Sequence, residues 1–416
     1  MSGYGVRLFR PTSYPRDVAA KTDLKAWALA TSALLFLFIG FAKGTIDLPV
    51  DVTILACLVL CLALIPYFRT AASPTSPVTL ALAALIMWLA FRLLPDFPAW
   101  GLRKLATVVL FGVPAFIAGI VIAKDERLRG ATMRILAYAG LPASAAVIAV
   151  AAMGNPYAFA AIGSGGYQLT GIFLALSAVS AAVIRQPVLV GVAALGCAVT
   201  GHISSALFGL VATVLVFANN RDWHTAGGAA IATGCTITLY TLLVAPPLVF
   251  MRLLWKFGGV LLVWMNQPVS PEEAASSLGT THLGAGLNSL LEAMPEESQE
   301  YLVDVAAADR LGYFSAAWHS FMSAPLAGHG YGAVEYLGAS YPHNAILEIA
   351  AETGCVGAAL ALATFGCATV AAARSRNGFV IGACTVLMLT AMVSGYFGTR
   401  LLLFAFGLAA GARHDR

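Results

Sequence analysis

The residues best suited to chemistry lie close together in the last quarter of the chain. A glycine-rich turn over 328–332 is followed by His343 and Asn344, and then by Glu348 and Glu352. A histidine exchanges a proton near neutral pH, and carboxylates four residues apart share one face of a helix. Such a cluster predicts a reaction site, and the alternative interpretation is a polar helix start capped at a membrane interface.

Local sequence signals place this cluster at the start of a helix. Pro342 disfavours helical backbone at Tyr341 and is accepted in a first helical turn. We therefore expect His343 and Asn344 where a loop becomes a helix, close to backbone N–H groups without helical partners. The sequence over 355–370 is almost purely apolar, as in a membrane helix. Polar residues beside lipid usually face a bundle interior or a cavity.

Composition sets the class of protein. The chain has 416 residues, of which 59% are hydrophobic and only 11% charged, as in polytopic α-helical membrane proteins. The seven cysteines all lie in apolar segments, so we interpret them as packing residues. The net charge of +4 is small, and we expect no nucleic-acid partner. The N-terminal cations precede a full-length apolar helix, so we expect no cleavable signal peptide.

The predicted fold class is all-α, a polytopic membrane helix bundle in one domain over 1–416. A span needs about 20 apolar residues, and about twelve segments qualify as transmembrane helices. The predicted helices are 26–42, 48–67, 77–94, 104–123, 132–152, 169–184, 187–201, 203–219, 226–247, 350–372, 377–395 and 399–412.

The placement of cations predicts the topology. The tail over 1–25 is basic, and further cations follow every second predicted helix. These cations are Arg69, Lys124, Arg127, Arg129, Arg134, Arg185, Arg221, Arg374, Arg376, Arg413 and Arg416. The positive-inside rule then puts both termini in the cytoplasm.

One large loop over 266–341 is expected on the periplasmic side. It is acidic, and Arg310 is its only lysine or arginine. Residues 281–294 and 299–322 have helical patterns, and the second segment is amphipathic. We expect that helix to pack over the mouth of the bundle as a lid.

Cations near the predicted outer mouth are candidates for binding an anion. Arg252 and Lys256 are four residues apart and share a helix face. They either snorkel to the headgroup level or meet lipid phosphate. Arg310 suits an anionic leaving group because its guanidinium binds phosphate in a bidentate manner, and the alternative is a surface ion pair. We expect His319 and His329 to be structural or exposed to solvent.

The stretch from Arg310 to Ala363 resembles the C-terminal half of the O-antigen ligase and O-antigen polymerase superfamily. That family has an arginine opening a periplasmic helix, a Pro-Leu-x-Gly-x-Gly turn, and His-Asn-x-x-Leu-Glu-x-x-x-Glu-x-Gly leading into a membrane helix. The matching residues are Arg310, Pro325, Leu326, Gly328, Gly330, His343, Asn344, Leu347, Glu348, Glu352, Gly354 and Gly357.

This resemblance implies a glycosyltransferase of the bacterial inner membrane with a periplasmic active site. The donor would be a glycan on undecaprenyl diphosphate. The acceptor would be lipid A-core for a ligase or another lipid-linked glycan for a polymerase. His343 would be the base, Arg310 would bind the leaving diphosphate, and no metal or other cofactor is implied. The motif residues that would contact substrate are Asn344, Glu348, Glu352, Gly328 and Gly330.

The chain departs from the family pattern at one place. The family usually has a second arginine in a turn before an apolar helix, where this chain has Thr200, Gly201 and His202. Either His202 replaces that arginine, or Arg252 or Lys256 supplies the charge. Two other classes stay open, namely a transporter or flippase of lipid-linked sugars, and an inactive relative that serves as a scaffold.

Overall fold

A computed structural model describes most of the chain. The described residues are 23–41, 51–71, 76–94, 99–154, 160–162, 166–250, 252–253, 306–333, 343–394 and 399–412. Within these ranges 87% of the residues are helical and no strand occurs. The all-α prediction is therefore confirmed for this part of the chain.

The helices are numbered here in chain order. They are α1 (Leu24–Leu37), α2 (Val52–Leu64), α3 (Pro77–Leu93), α4 (Ala99–Lys124), α5 (Glu126–Met153), α6 (Gly166–Val183), α7 (Pro187–Val199), α8 (Ile203–Asn220), α9 (Trp223–Leu243), α10 (Ala306–Ser323), α11 (Ala345–Arg374), α12 (Gly378–Ser394) and α13 (Arg400–Gly411).

Polar side chains and prolines set the helix starts. Asp51, Ser76 and Thr399 each accept a hydrogen bond from a backbone N–H in the first turn of the helix that follows. Pro77 and Pro187 occupy first-turn positions, where the missing N–H costs nothing. The sequence between these signals is apolar, so helix starts and lengths follow from the chain itself.

Among the described residues, six helices are long and apolar enough to cross a membrane, namely α4, α5, α6, α8, α9 and α11. Six further apolar helices of 10–17 residues lie among the described residues. These correspond in position to the remaining predicted spans. A membrane protein with several spanning helices is thus supported, and the count of twelve spans stays a prediction.

Helix directions identify which termini lie together. Asn219, near the end of α8, donates its side-chain amide N–H to the carbonyl of Arg376, which precedes α12 (3.0 Å). Gly378 at the start of α12 lies near Val183 at the end of α6 and Asn220 at the end of α8. Because α12 runs antiparallel to α6, α8 and α11, those three helices begin at the same end of the bundle. We call it the His343 end.

Several of the predicted inner cations lie at the opposite end. There Arg185 pairs with Asp222 (3.0 Å), and Arg376 accepts from Asn219. This grouping is the one that the alternation of cations predicts. The assignment of that end to the cytoplasm stays a prediction.

The loop predicted over 266–341 is described only over 306–333. Its amphipathic helix is present as α10 and ends at Ser323, two residues before Pro325. The predicted helix over 281–294 and the residue Lys256 lie outside the described residues.

Candidate functional site

The start of α11 has the predicted loop-to-helix geometry. Asn344 is the N-cap, and its side-chain oxygen accepts from the backbone N–H groups of Ile346 (3.1 Å) and Leu347 (2.9 Å). His343 directly precedes this cap and has a left-handed backbone, with φ of 54°. Its side chain is half-buried, and its ring centroid lies 6.3 Å from that of Tyr313. An imidazole is therefore held at the entrance of the helix.

Helix α10 lies across these first turns of α11. Ala317 and Phe321 of α10 pack against Leu347 and Ala351 of α11. Tyr313, which faces His343, lies about one helical turn before Ala317 in α10. The amphipathic loop helix therefore covers the helix start, and its role as a lid stays a prediction.

Arg310 belongs to this covering helix. Its backbone lies in α10, three residues before Tyr313, so the two positions share a helix face. Its side chain is outside the described part of the structure. The diphosphate-binding role of Arg310 stays a prediction.

A break in α11 explains the second half of the motif. Gly354 has φ of 71° and ψ of −167° inside the helix, which frees the preceding carbonyl groups from helical bonding. The Ala351 carbonyl accepts from the backbone N–H of His329 (3.3 Å), and the Glu352 carbonyl accepts from that of Gly330 (2.8 Å). The glycine-rich turn is thus bonded to the break in the helix.

Two groups from α3 complete the bonding at this break. Trp88 donates its indole N–H to the Thr353 carbonyl (3.3 Å), and Arg92 donates to the Gly328 carbonyl (3.4 Å). Buried backbone carbonyls without a partner are costly. The turn, the break and α3 are therefore one bonded unit.

Glycine is required where these segments touch. Gly328 has φ of 67°, and a Cβ there would lie 2.3 Å from the Glu352 carbonyl carbon. A Cβ on Gly354 would lie 2.3 Å from the Leu326 oxygen. The substrate-binding role predicted for Gly328 and Gly330 stays a prediction, since close packing onto α11 already accounts for the glycine at position 328.

A buried ion-pair cluster lies beneath the turn. The Lys104 ammonium contacts Glu348 (2.5 Å) and Glu352 (2.8 Å), and the three side chains are 7%, 2% and 0% exposed. The ammonium also lies 5.4 Å from the ring centroid of Tyr331, which is buried. Both motif glutamates therefore face a lysine from α4, and their substrate-binding role stays a prediction.

A second group of polar side chains lies at the His343 end, at the start of α8. Arg252 is buried and donates through Nη1 to the Gly201 carbonyl (3.0 Å). His202 is buried beside it, with Nδ1 2.5 Å from the Ser205 hydroxyl and its ring 5.8 Å from that of Tyr167. Two of the three residues predicted to replace the absent arginine thus lie at the same turn.

Sequence reasoning missed the partners that come from α3 and α4, which are Trp88, Arg92 and Lys104. The available signal was Lys104 itself, because a lysine beside a long apolar run is expensive and calls for a buried partner. No group of three or more His, Cys, Asp or Glu residues that could hold a metal ion occurs within the described ranges.

Comparison with protein-family models and with curated proteins found no match for this chain.

Proposed function

We propose that this chain is an integral-membrane glycosyltransferase of the O-antigen ligase or polymerase type. It would transfer a glycan from undecaprenyl diphosphate to a sugar hydroxyl on the periplasmic side of the inner membrane. The proposal rests on the placement of His343. This residue has a left-handed backbone, directly precedes the Asn344 cap, and is covered by the helix that contains Arg310.

The chemistry follows from the residue types. A ring nitrogen of His343 takes the proton of the acceptor hydroxyl, and the acceptor oxygen attacks the anomeric carbon of the donor glycan. The bond between that carbon and the diphosphate oxygen breaks, and the electron pair leaves with undecaprenyl diphosphate. Arg310 stabilises the departing anion.

A buried arginine and a buried histidine at the start of α8 support an anionic lipid substrate. Arg252 and His202 lie at the same end of the bundle as the start of α11. A diphosphate close to His202 would favour the charged imidazole. These two residues are the proposed replacement for the second arginine of the family pattern.

A second candidate function is a transporter of lipid-linked sugars. One observation favours it, namely the Lys104, Glu348 and Glu352 cluster, which is buried between two candidate membrane spans. Ionisable residues inside membrane segments often serve ion or proton coupling. The glycosyltransferase is preferred because the histidine, the asparagine and the covering helix converge on one helix start.

The test is in vitro transfer by the purified protein. Undecaprenyl-diphosphate-linked repeat units are supplied first alone and then with lipid A-core, and the products are sized on a gel. A ladder without lipid A-core identifies a polymerase, and a product that requires lipid A-core identifies a ligase. Movement of unaltered labelled lipid across reconstituted vesicles, without either product, would favour the transporter and contradict the proposal.

A further inference from the structure

We propose that Lys104 is a positioning residue of the site. It fixes the glycine-rich turn, which precedes His343 in the sequence, and the start of α11, which follows His343. Lys104, Glu348, Glu352 and Tyr331 together are called the carboxylate lock. The catalytic consequence rests on the proposed function, whereas the lock itself is a property of the fold.

The lock depends on all three ionisable side chains. Glu348 and Glu352 are one helical turn apart, and both contact the single Lys104 ammonium. Breaking a buried ion pair by removing one partner is strongly destabilising, because the other charge is left uncompensated. Without Lys104, two neighbouring buried carboxylates would repel each other, so they would have to separate or take up protons.

The lock joins α4 to the turn as well as to α11. A Cβ on Gly332 would lie 2.6 Å from the backbone nitrogen of Gly101, so the turn lies directly against α4 one helical turn before Lys104. Tyr331 lies over the Lys104 ammonium, and Gly330 donates to the Glu352 carbonyl. Movement of the Lys104 ammonium would therefore be passed to both the turn and the helix.

Two neighbouring faces of α11 contact different helices. Leu347 and Ala351 pack under α10, whereas Glu348 and Glu352 meet α4. These four residues lie in the first two turns of the helix, and His343 directly precedes that helix start. A misplacement of about 1 Å in a reacting group costs about 10²-fold in rate, so an unlocked helix start would slow transfer.

The experiment compares three variants of the full-length protein in detergent with the wild type. Lys104→Met removes the ammonium, and the triple variant K104M/E348Q/E352Q replaces all three ionisable side chains by neutral ones of nearly the same shape. Arg103→Met is the matched control, because Arg103 is the neighbouring cation, is exposed, and lies over Trp100. Hydrogen exchange is followed at the amides of His329 and Gly330, whose N–H groups bond to α11.

Lys104→Met is expected to speed exchange at these two amides by about tenfold or more, as for a local opening of the turn. Arg103→Met is expected to leave exchange unchanged, and the triple variant to restore protection. In transfer assays Lys104→Met is expected to lower kcat by about 10²-fold, with KM for the lipid-linked donor changed much less. If Lys104→Met does not fold, the protection of the triple variant carries the test.

Unchanged exchange in Lys104→Met would overturn the lock, as would a triple variant that stays unprotected. Faster exchange with unaltered kcat would overturn the positioning role, since the cluster would then only support the fold. If the wild type transfers no glycan, the proposed function fails separately, and the exchange measurements still support or overturn the lock.

Discussion

At the scale of the residue, His343 has an unusual backbone. Its φ of 54° lies in the left-handed region, which costs a residue with a Cβ roughly 1–2 kcal/mol. Strain of this kind persists where the surroundings impose it, and it clusters at functional sites. Here the Asn344 cap and the Tyr313 ring hold the histidine in place.

The strain predicts that glycine is more stabilising than alanine at position 343, the reverse of the order in a helix. His343→Gly is expected to be more stable than His343→Ala by about 1 kcal/mol, because glycine accepts a positive φ without steric cost. His319 in α10 is the matched control, since its backbone is helical and its side chain is exposed. There alanine is expected to be more stable than glycine by about 1 kcal/mol.

Thermal unfolding of the four variants in one detergent checks this expectation. A His343→Ala variant as stable as His343→Gly, or more stable, would contradict the left-handed conformation.

At the scale of the element, the break in α11 connects the motif to its support. Gly354 interrupts the helix, and the freed carbonyls accept from His329, Gly330 and Trp88. A continuous helix would use these carbonyls internally and leave the turn without partners. The break is therefore the reason that a turn, a helix start and two neighbouring helices meet at one place.

Gly354→Ala is accordingly expected to destabilise the protein by more than about 1 kcal/mol, from the positive φ alone. The new Cβ would in addition lie 2.3 Å from the Leu326 oxygen. Gly366→Ala in the same helix is the control, because a Cβ there has no neighbour within 4 Å. That control is expected to gain up to about 1 kcal/mol, as alanine favours helix.

Unfolding midpoints of the two alanine variants provide the measurement. Equal effects at the two positions would show that α11 runs through Gly354 without a break.

Contacts between residues of one segment can be predicted from the sequence, as the Asn344 cap and the start of α11 were. The Lys104 contact with Glu352 joins residues 248 positions apart, and no local pattern reports such a distance. The bond of Arg252 to Gly201 spans 51 positions, and it was anticipated only as one of several ways to replace an absent charge.

At the scale of the whole molecule, the two ends of the bundle differ in character. His202, Arg252 and the start of α11 lie at one end, and the Arg185–Asp222 pair lies at the other. The directions of the helices follow from their apolar lengths and alternating cations, so sequence alone predicted this grouping. The number of spans did not follow in the same way, because six apolar helices in the described part of the chain are shorter than a standard span.

The proposed topology predicts which end is reached from the periplasm. In a variant without the seven native cysteines, Ser323→Cys in α10 is expected to react with a membrane-impermeant maleimide in cells whose outer membrane is permeable. Arg374→Cys, at the opposite end of α11, is expected to react only after the inner membrane is broken. Labelling of both cysteines from the same side, or in the reverse order, would contradict the topology.

The proposed activation of the acceptor hydroxyl by His343 is measured by single-turnover transfer with purified protein. His343→Ala is compared with His319→Ala, whose histidine lies exposed on α10 and bonds within its own helix. His343→Ala is expected to bind donor but to lose transfer by about 10²-fold or more, as for removal of a general base, while His319→Ala is expected to transfer at the wild-type rate. Normal transfer by a folded His343→Ala protein would show that His343 is not the base.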